Sequence, residues 1–315
     1  MGRLAISPRA YRRITFVAAL ALAVIILTGA AVRLTGSGLG CPTWPQCEPG
    51  QLVAKSAAGY HQQIEFWNRA FTAVVSIAVM LAVLGSLVRR PRRRELTWLS
   101  IGLVVGVIAQ AILGGLVVKE VLAPPFVMGH FLLSIVLLWN AVLLHHRAGQ
   151  PAGRSEPVVD GRLLLLGRAV FVLACAAIVT GTVVTGTGPH AGDKRAARLN
   201  LVVTDVARVH GTTVMIFLGT VLLTLWLAYR RHAPAVVRQR LTVLLVVLVA
   251  QAAVGYTQYF TGVPVLLVAV HVAGATALFA ATVSLYLSLR ARTATEEVPS
   301  GQLQPSLARG TLARA

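Results

Sequence analysis

The chain has 315 residues, 56% of them hydrophobic and only 12% charged, with a formal net charge of +19 at pH 7. Apolar runs of about 20 residues, the length that crosses a bilayer's hydrocarbon core, recur from end to end and leave no room for a large soluble domain. Nucleic-acid binding is excluded as the reason for the charge, because the arginines fall in short clusters between apolar runs, a pattern of membrane topology and not of a basic binding face.

Arg3, Arg9, Arg12 and Arg13 precede the first predicted span, about Ile14–Val32. A basic start followed by an apolar run is also the form of a signal peptide, but this run is long and lacks a small-x-small cleavage site. An outer loop from Arg33 to about Tyr60 carries Gly36, Gly38, Gly40, Cys41 and Cys47. Span 2 covers about Gln62–Leu87 and ends in Arg89-Arg90-Pro91-Arg92-Arg93-Arg94. Spans 3 and 4 cover about Leu96–Val118 and Phe126–Leu144, joined by a link with Pro124-Pro125. The polar segment His145–Arg162, with Pro151, Gly153 and Pro157, reads as the boundary between two halves. Span 5 is about Leu163–Thr185, followed by an outer loop with His190, Asp193, Lys194, Arg195 and Arg198. Spans 6, 7 and 8 are about Val202–Tyr229, Leu241–Phe260 and Val265–Leu289, and the polar tail from Arg290 reads as disordered.

Eight spans put both ends of the chain on one side. The basic clusters before span 1 and after spans 2, 4, 6 and 8 all fall on that side, which the positive-inside rule makes cytoplasmic. The expected fold is an all-α polytopic membrane protein, with eight transmembrane helices arranged as two four-helix bundles. Four spans in each half point the halves the same way, as parallel repeats about an axis along the membrane normal. The expected division is residues 1–150, 151–292 and a cytoplasmic tail, 293–315. Internal matches support a duplication. Gln110, Gly114 and His130 find the same residue types at Gln251, Gly255 and His271, an offset of 141, and Thr28-Gly29 and Thr35-Gly36 return at Thr180-Gly181 and Thr187-Gly188, an offset of 152.

The histidines then fall into an order. His130, His210 and His271 sit early in spans 4, 6 and 8, and His61 begins span 2, all towards the outer face. An ionisable group inside a span is costly and marks function by default, and imidazole is a good axial ligand for haem iron. His210 and His271 lie on alternate helices of one four-helix unit and can clamp a haem; the alternative is that each only bonds a neighbouring helix. In the first half His130 matches His271, but the position matching His210 is Asn68, a poor iron ligand. His61, Glu65 and Asn68 share one helix face at i, i+4 and i+7, with Arg69 beside them. Glu65 is a candidate for proton transfer, against the plainer reading of a structural i, i+4 pair with Arg69. Arg33, Arg69 and Arg208 are candidates to pair with haem propionates, or are interfacial snorkelling arginines. His190 reads as a solvated loop residue, His145, His146 and His232 as interfacial, and Cys175 as packing. Cys41 and Cys47, close together in one outer loop, can form a disulfide on an oxidising side.

These residues resemble a family. Gly36-Ser-Gly-Leu-Gly-Cys41-Pro-Thr-Trp-Pro-Gln-Cys47, Ile64-Glu65-Phe66-x-Asn68-Arg69, Gly129-His130 and Thr187-Gly-x-His190-Ala-Gly-Asp193, with the paired halves, resemble haem A synthase. The resemblance implies a b-type haem held by His210 and His271, with Arg208 near it, and haem O processed in the first half. It implies oxidation of the C8 methyl group of haem O to a formyl group, giving haem A for terminal oxidases. Glu65 would act at that methyl, and His130, His61, Asn68 and Arg69 would line the substrate site, with His130 on the substrate iron. A Cys41–Cys47 disulfide follows from many bacterial members, as does a plasma-membrane location. A haem O synthase or oxidase assembly factors are the partners it suggests, besides membrane lipid. The family's Glu-x-x-His-Arg is Glu65-Phe-Trp-Asn68-Arg69 here, so the first histidine of the N-terminal half is absent. Either His130 alone binds the substrate iron, or His61 swings in. The rival readings are a b-type haem electron carrier and a transporter with parallel repeats.

Overall fold

The computed structural model describes residues 5–41, 43–47 and 59–293. Eight long helices dominate it: α1 (Pro8–Leu34), α2 (Tyr60–Val88), α3 (Arg94–Lys119), α4 (Pro124–Ala148), α5 (Gly161–Thr187), α6 (Val203–Arg230), α7 (Ala235–Phe260) and α8 (Val265–Ser288). Each is long and apolar enough to cross a membrane, so the chain is an all-α, multi-pass membrane protein. All but α8, which stops one residue short, run past the predicted spans at one end or both, because their polar ends stay helical beyond the apolar run. Local chemistry sets several starts. The Ser7 side chain accepts from the Ala10 N–H at 3.2 Å before α1, and Asp160 accepts from Leu163 at 2.9 Å before α5. Pro124 opens α4, where its missing N–H costs nothing.

Two cores form. One is built on Tyr11, Leu22, Val79, Leu96, Leu103 and Leu144 from α1–α4, the other on Leu163, Val170, Phe217, Leu241, Leu248 and Leu285 from α5–α8. A third cluster, Ile26, Ile135, Leu138, Phe279 and Val283, joins them where α1 and α4 meet α8. The outward faces carry large apolar side chains such as Ile77, Ile108, Leu165 and Leu266, as a lipid-facing surface requires.

The start of α1, the α2–α3 and α4–α5 links and the end of α8 lie at one end. Ile6 N–H donates to the Val88 carbonyl at 3.2 Å, and Arg93 Nη1 donates to the Arg147 carbonyl at 3.1 Å. Here the structure corrects the reading of the tail. Arg290–Arg292 form a short strand, β2, paired antiparallel with β1 (Ser155–Pro157) in the link between α4 and α5. The rest of the expected tail, from residue 294 on, lies outside the described residues.

Candidate functional site

The two histidines of the second half face each other. His210, on α6, and His271, on α8, have ring centroids 6.5 Å apart with their planes at 80°. Two imidazoles ligating one metal ion edge-on, at about 2.0–2.1 Å per metal–nitrogen bond, bring their centroids roughly 6.3 Å apart. The spacing of the pair matches that of two imidazoles on either side of one metal ion. The surroundings of the pair fit that arrangement. The His210 Nδ1 is 3.1 Å from Thr180 Oγ1, a contact that orients the ring and leaves Nε2 free. The Thr180 hydroxyl donates to the Ala176 carbonyl at 2.9 Å. Each ring rests on a glycine of the preceding helix. A Cβ at Gly181 would come within 3.2 Å of His210 Cε1, and one at Gly255 within 3.1 Å of His271 Cε1. Gln251, buried, donates to the His271 carbonyl at 2.6 Å and so fixes α7 against α8.

The first half repeats these contacts up to one position. Gln110 Nε2 donates to the His130 carbonyl at 3.0 Å, and a Cβ at Gly114 would lie 3.3 Å from His130 Cε1. Thr28 stands where Thr180 does, and its hydroxyl donates to Asn68 Oδ1 at 2.8 Å. Asn68 thus stands to Thr28 as His210 does to Thr180, with a shorter side chain. A Cβ at Gly29, the counterpart of Gly181, would meet nothing within 4 Å.

Glu65 is one turn nearer the outer end of α2 and only 4% exposed. Its carboxylate accepts from Arg69 Nη2 at 2.5 Å and from the Cys41 backbone N–H at 2.7 Å. Arg69 also donates to the Thr43 carbonyl at 2.7 Å and to the Pro45 and Gln46 carbonyls at 3.4 Å. The pair is therefore more than an i, i+4 bridge on a helix surface: it anchors the loop that covers it. Cys41 and Cys47 close that loop as a disulfide. Trp44 of the same loop seats on Gly115 of α3, where a Cβ would be 3.2 Å from the indole. The glycines of the approach have distinct duties. Gly36 has φ +69°, a conformation that favours glycine. A Cβ at Gly40 would strike the His61 carbonyl oxygen at 2.5 Å, so only glycine lets the loop lie on the start of α2.

The other candidates are placed differently. His61 is exposed, with Nδ1 3.0 Å from Ser37 Oγ, and makes no contact with Asn68 or His130 among the hydrogen bonds described. Arg208 is on the surface, 3.5 Å from Asp205. Arg33 is used to join the halves: it donates to the carbonyls of His190 at 2.6 Å and Thr185 at 2.7 Å. His190 is not a solvated loop residue. It is half-buried, and its Nε2 lies 2.8 Å from the Val263 carbonyl, tying the α5–α6 loop to the α7–α8 link. Beside it, Arg195 bonds the Asp193 carboxylate and holds it below the usual carboxylate range. Cys175 packs in the cluster between the halves. Sequence reasoning noticed Thr28 and Thr180 as repeat marks but not as partners of positions 68 and 210. The shared Thr-Gly pair was the signal, since a hydroxyl and a bare helix face together form a seat for a ring.

Fold and site define a multi-pass helical membrane protein with a facing pair of histidines in its second half and, in its first, the histidine His130 on α4 and the buried carboxylate of Glu65 on α2. The chain belongs to the COX15-CtaA family: the family model, described as cytochrome oxidase assembly protein, matches residues 12–192. It is similar to the heme A synthase of Listeria welshimeri, 27% identical over 277 residues that cover 82% of this chain and 88% of the relative. The heme A synthase of Listeria monocytogenes is 28% identical over 275 residues, with the same coverage. That of Exiguobacterium sibiricum is 31% identical over 172 residues, 52% of this chain and 56% of the relative.

Proposed function

We infer that the chain is a haem A synthase, an oxidoreductase that converts the C8 methyl group of haem O to a formyl group and so supplies haem A to terminal oxidases. The observation that carries this reading is the buried carboxylate of Glu65, set beside the position of the missing ligand in the half that keeps His130. A protein that only passes electrons between haems needs that carboxylate for no more than anchoring the loop above it, so the feature favours the synthase over an electron carrier.

As a member of its family the chain binds haem, and its residues suggest a division of labour. Residues 151–292 hold haem b through His210 and His271. Bound there, haem b supplies one-electron transfer. Residues 1–150 would take haem O as substrate, with His130 the residue to bind its iron and Asn68 lining the same site. Glu65 is the group that takes or gives a proton at the C8 methyl during two successive oxidations. Arg69 keeps the carboxylate oriented, and the disulfide loop excludes water from above it. Arg208, exposed beside Asp205, is free to swing towards a propionate. His61, tied to Ser37, lines the rim of the substrate side and does not replace the ligand at Asn68.

The positions of the arginine clusters support a cytoplasmic side for both ends of the chain in a bacterial plasma membrane. The reaction implies a haem O synthase upstream and an oxidase assembly step downstream. The test is expression in a host that makes haem O but no haem A, followed by extraction and separation of the haems. Haem A is expected with the wild-type chain and absent with Glu65→Gln, while haem b stays bound in both. Haem b without haem A from the wild-type chain, with haem O present, would instead favour an electron carrier.

A further inference from the structure

At the end of the molecule opposite the site, one carboxylate serves three arginines. Glu95, at the start of α3, is bridged by Arg93, by Arg147 at 3.2 Å and by Arg292 at 2.6 Å. The arginines come from the α2–α3 link, the end of α4 and β2, so the cluster joins both halves of the chain. One negative charge against three positive leaves the group two charges short of neutrality. The imbalance is not dispersed in water. The side chains of Arg93 and Arg292 are 7% and 10% exposed, and their Nε atoms are buried without hydrogen-bond partners among the described residues. Arg89 adds to the excess: it is 4% exposed, its Nε is likewise unpartnered, and burial and then Arg93 hold it below the usual arginine range. Half-compensated positive charge near a protein's interior is costly, so the three arginines that share one carboxylate leave room for a further anion.

There is a place for one. An open surface depression of about 270 Å³ is lined by Arg93, Arg94, Glu95, Ala152, Gly153 and Arg292. It lies at the N-terminus of α3, a helix of 26 residues, whose free N–H groups and dipole also favour negative charge. It is on the side that carries the arginine clusters, level with the helix ends, where lipid headgroups lie. Guanidinium groups match phosphate oxygens in pairs.

We propose that Arg93, Arg94 and Arg292 bind a phosphate group in this depression, presented by an acidic phospholipid or as free phosphate. Bound phosphate completes the charge balance that Glu95 leaves unfinished. It also braces the contact between α3, the α4–α5 link and the β1–β2 pair. The inference stands apart from the haem chemistry and does not depend on it.

The experiment uses the full chain, purified and delipidated in a neutral detergent, with thermal unfolding as the readout. Short-chain phosphatidylglycerol, short-chain phosphatidylcholine and inorganic phosphate are titrated separately. The expected result is a rise in Tm with phosphatidylglycerol and none with phosphatidylcholine at the same concentration. If inorganic phosphate matches that rise and competes with the lipid, the site takes the free ion as well; if it does neither, the site is specific for the lipid. Arg94→Gln and Arg292→Gln should each weaken binding about fivefold, from about 1 kcal/mol per basic residue at a charged lipid surface. Glu95→Gln should tighten it, by removing a competing anion. Arg94 is exposed, so its variant folds even if Arg292→Gln does not. Equal Tm shifts with both lipids and none with phosphate, or unchanged phosphatidylglycerol binding in Arg94→Gln, would overturn the proposal.

Discussion

Replacing Asn68 by histidine asks whether the first half lacks only a ligand or has lost the site around it. The structure sets the cost. Thr28 Oγ1, which now donates to Asn68 Oδ1 at 2.8 Å, stands as Thr180 does to His210 Nδ1 at 3.1 Å. The introduced imidazole therefore keeps a hydroxyl partner, and the bond that is exchanged, about 0.5–1.5 kcal/mol either way, nearly cancels. Space is not limiting on the α1 side, because a Cβ at Gly29 would meet nothing within 4 Å, where the same atom at Gly181 already touches a ring at 3.2 Å. The expected loss of folding stability is under about 1 kcal/mol, well inside the range of ordinary substitutions. The gain is a second axial ligand for haem O, opposite His130. Release should slow at least tenfold, about 1.4 kcal/mol in binding, and turnover should fall with it, because product must leave by the same route. The assay loads the purified protein with haem O and reads its iron by optical and electron paramagnetic spectra. The wild-type first half should give a high-spin signal that Asn68→His converts to a low-spin, two-imidazole one. A wild-type signal that is already fully low-spin would mean that another residue supplies the ligand. A variant that stays high-spin would mean that position 68 does not face the iron.

Other expectations follow from the same geometry. His210→Ala and His271→Ala should each abolish the b-type spectrum of the purified protein, since each removes one side of a pair set 6.5 Å apart; a normal spectrum in both would refute the second-half site. Gly181→Ala should disturb the haem b spectrum by pressing on His210, while Gly29→Ala should leave it unchanged and stabilise α1 by up to about 1 kcal/mol, the difference in helix propensity; equal effects on the spectrum would remove the ring-seat argument. Cys41 and Cys47 should resist thiol alkylation in the oxidised protein and react after reduction; mass spectrometry of the labelled peptides checks this, and free reactivity without reductant would contradict the disulfide.

The eight spans were legible because bilayer thickness demands one length and the arginine clusters mark one side, two constraints that need no knowledge of packing. The ends were less so. α7 begins at Ala235, six residues before the apolar run at Leu241, because Arg238 and Arg240 can continue a helix into the interface as well as leave it. β2 was read as disordered tail, since a three-residue strand of Arg-Ala-Arg carries no apolar alternation, and its partner at Ser155–Pro157 lies more than a hundred positions away. His190 was misplaced for a related reason: its bond to the Val263 carbonyl is a contact between two loops, and neither loop has a periodicity that points to the other.

Within the site, the legible parts were those that the repeat duplicates, and the hidden part was the one found in only one half. The cap over Glu65 depends on the disulfide loop folding back so that the carbonyls of Thr43, Pro45 and Gln46 meet Arg69. No spacing in the sequence states that Arg69 divides its guanidinium between Glu65 and the loop. The i, i+4 pair reads from sequence as either chemistry or a structural bridge, and its geometry extends the bridge: Arg69 holds the loop and the carboxylate at once, so the loop cannot shift without moving Glu65. Asn68 shows the opposite case. Thr28 and Gly29 retain the hydroxyl and the bare helix face that in the second half seat an imidazole, yet Gly29 has no ring against it. A seat kept while its occupant is shorter confines the difference between the two halves at this point to one side chain, Asn68 against His210.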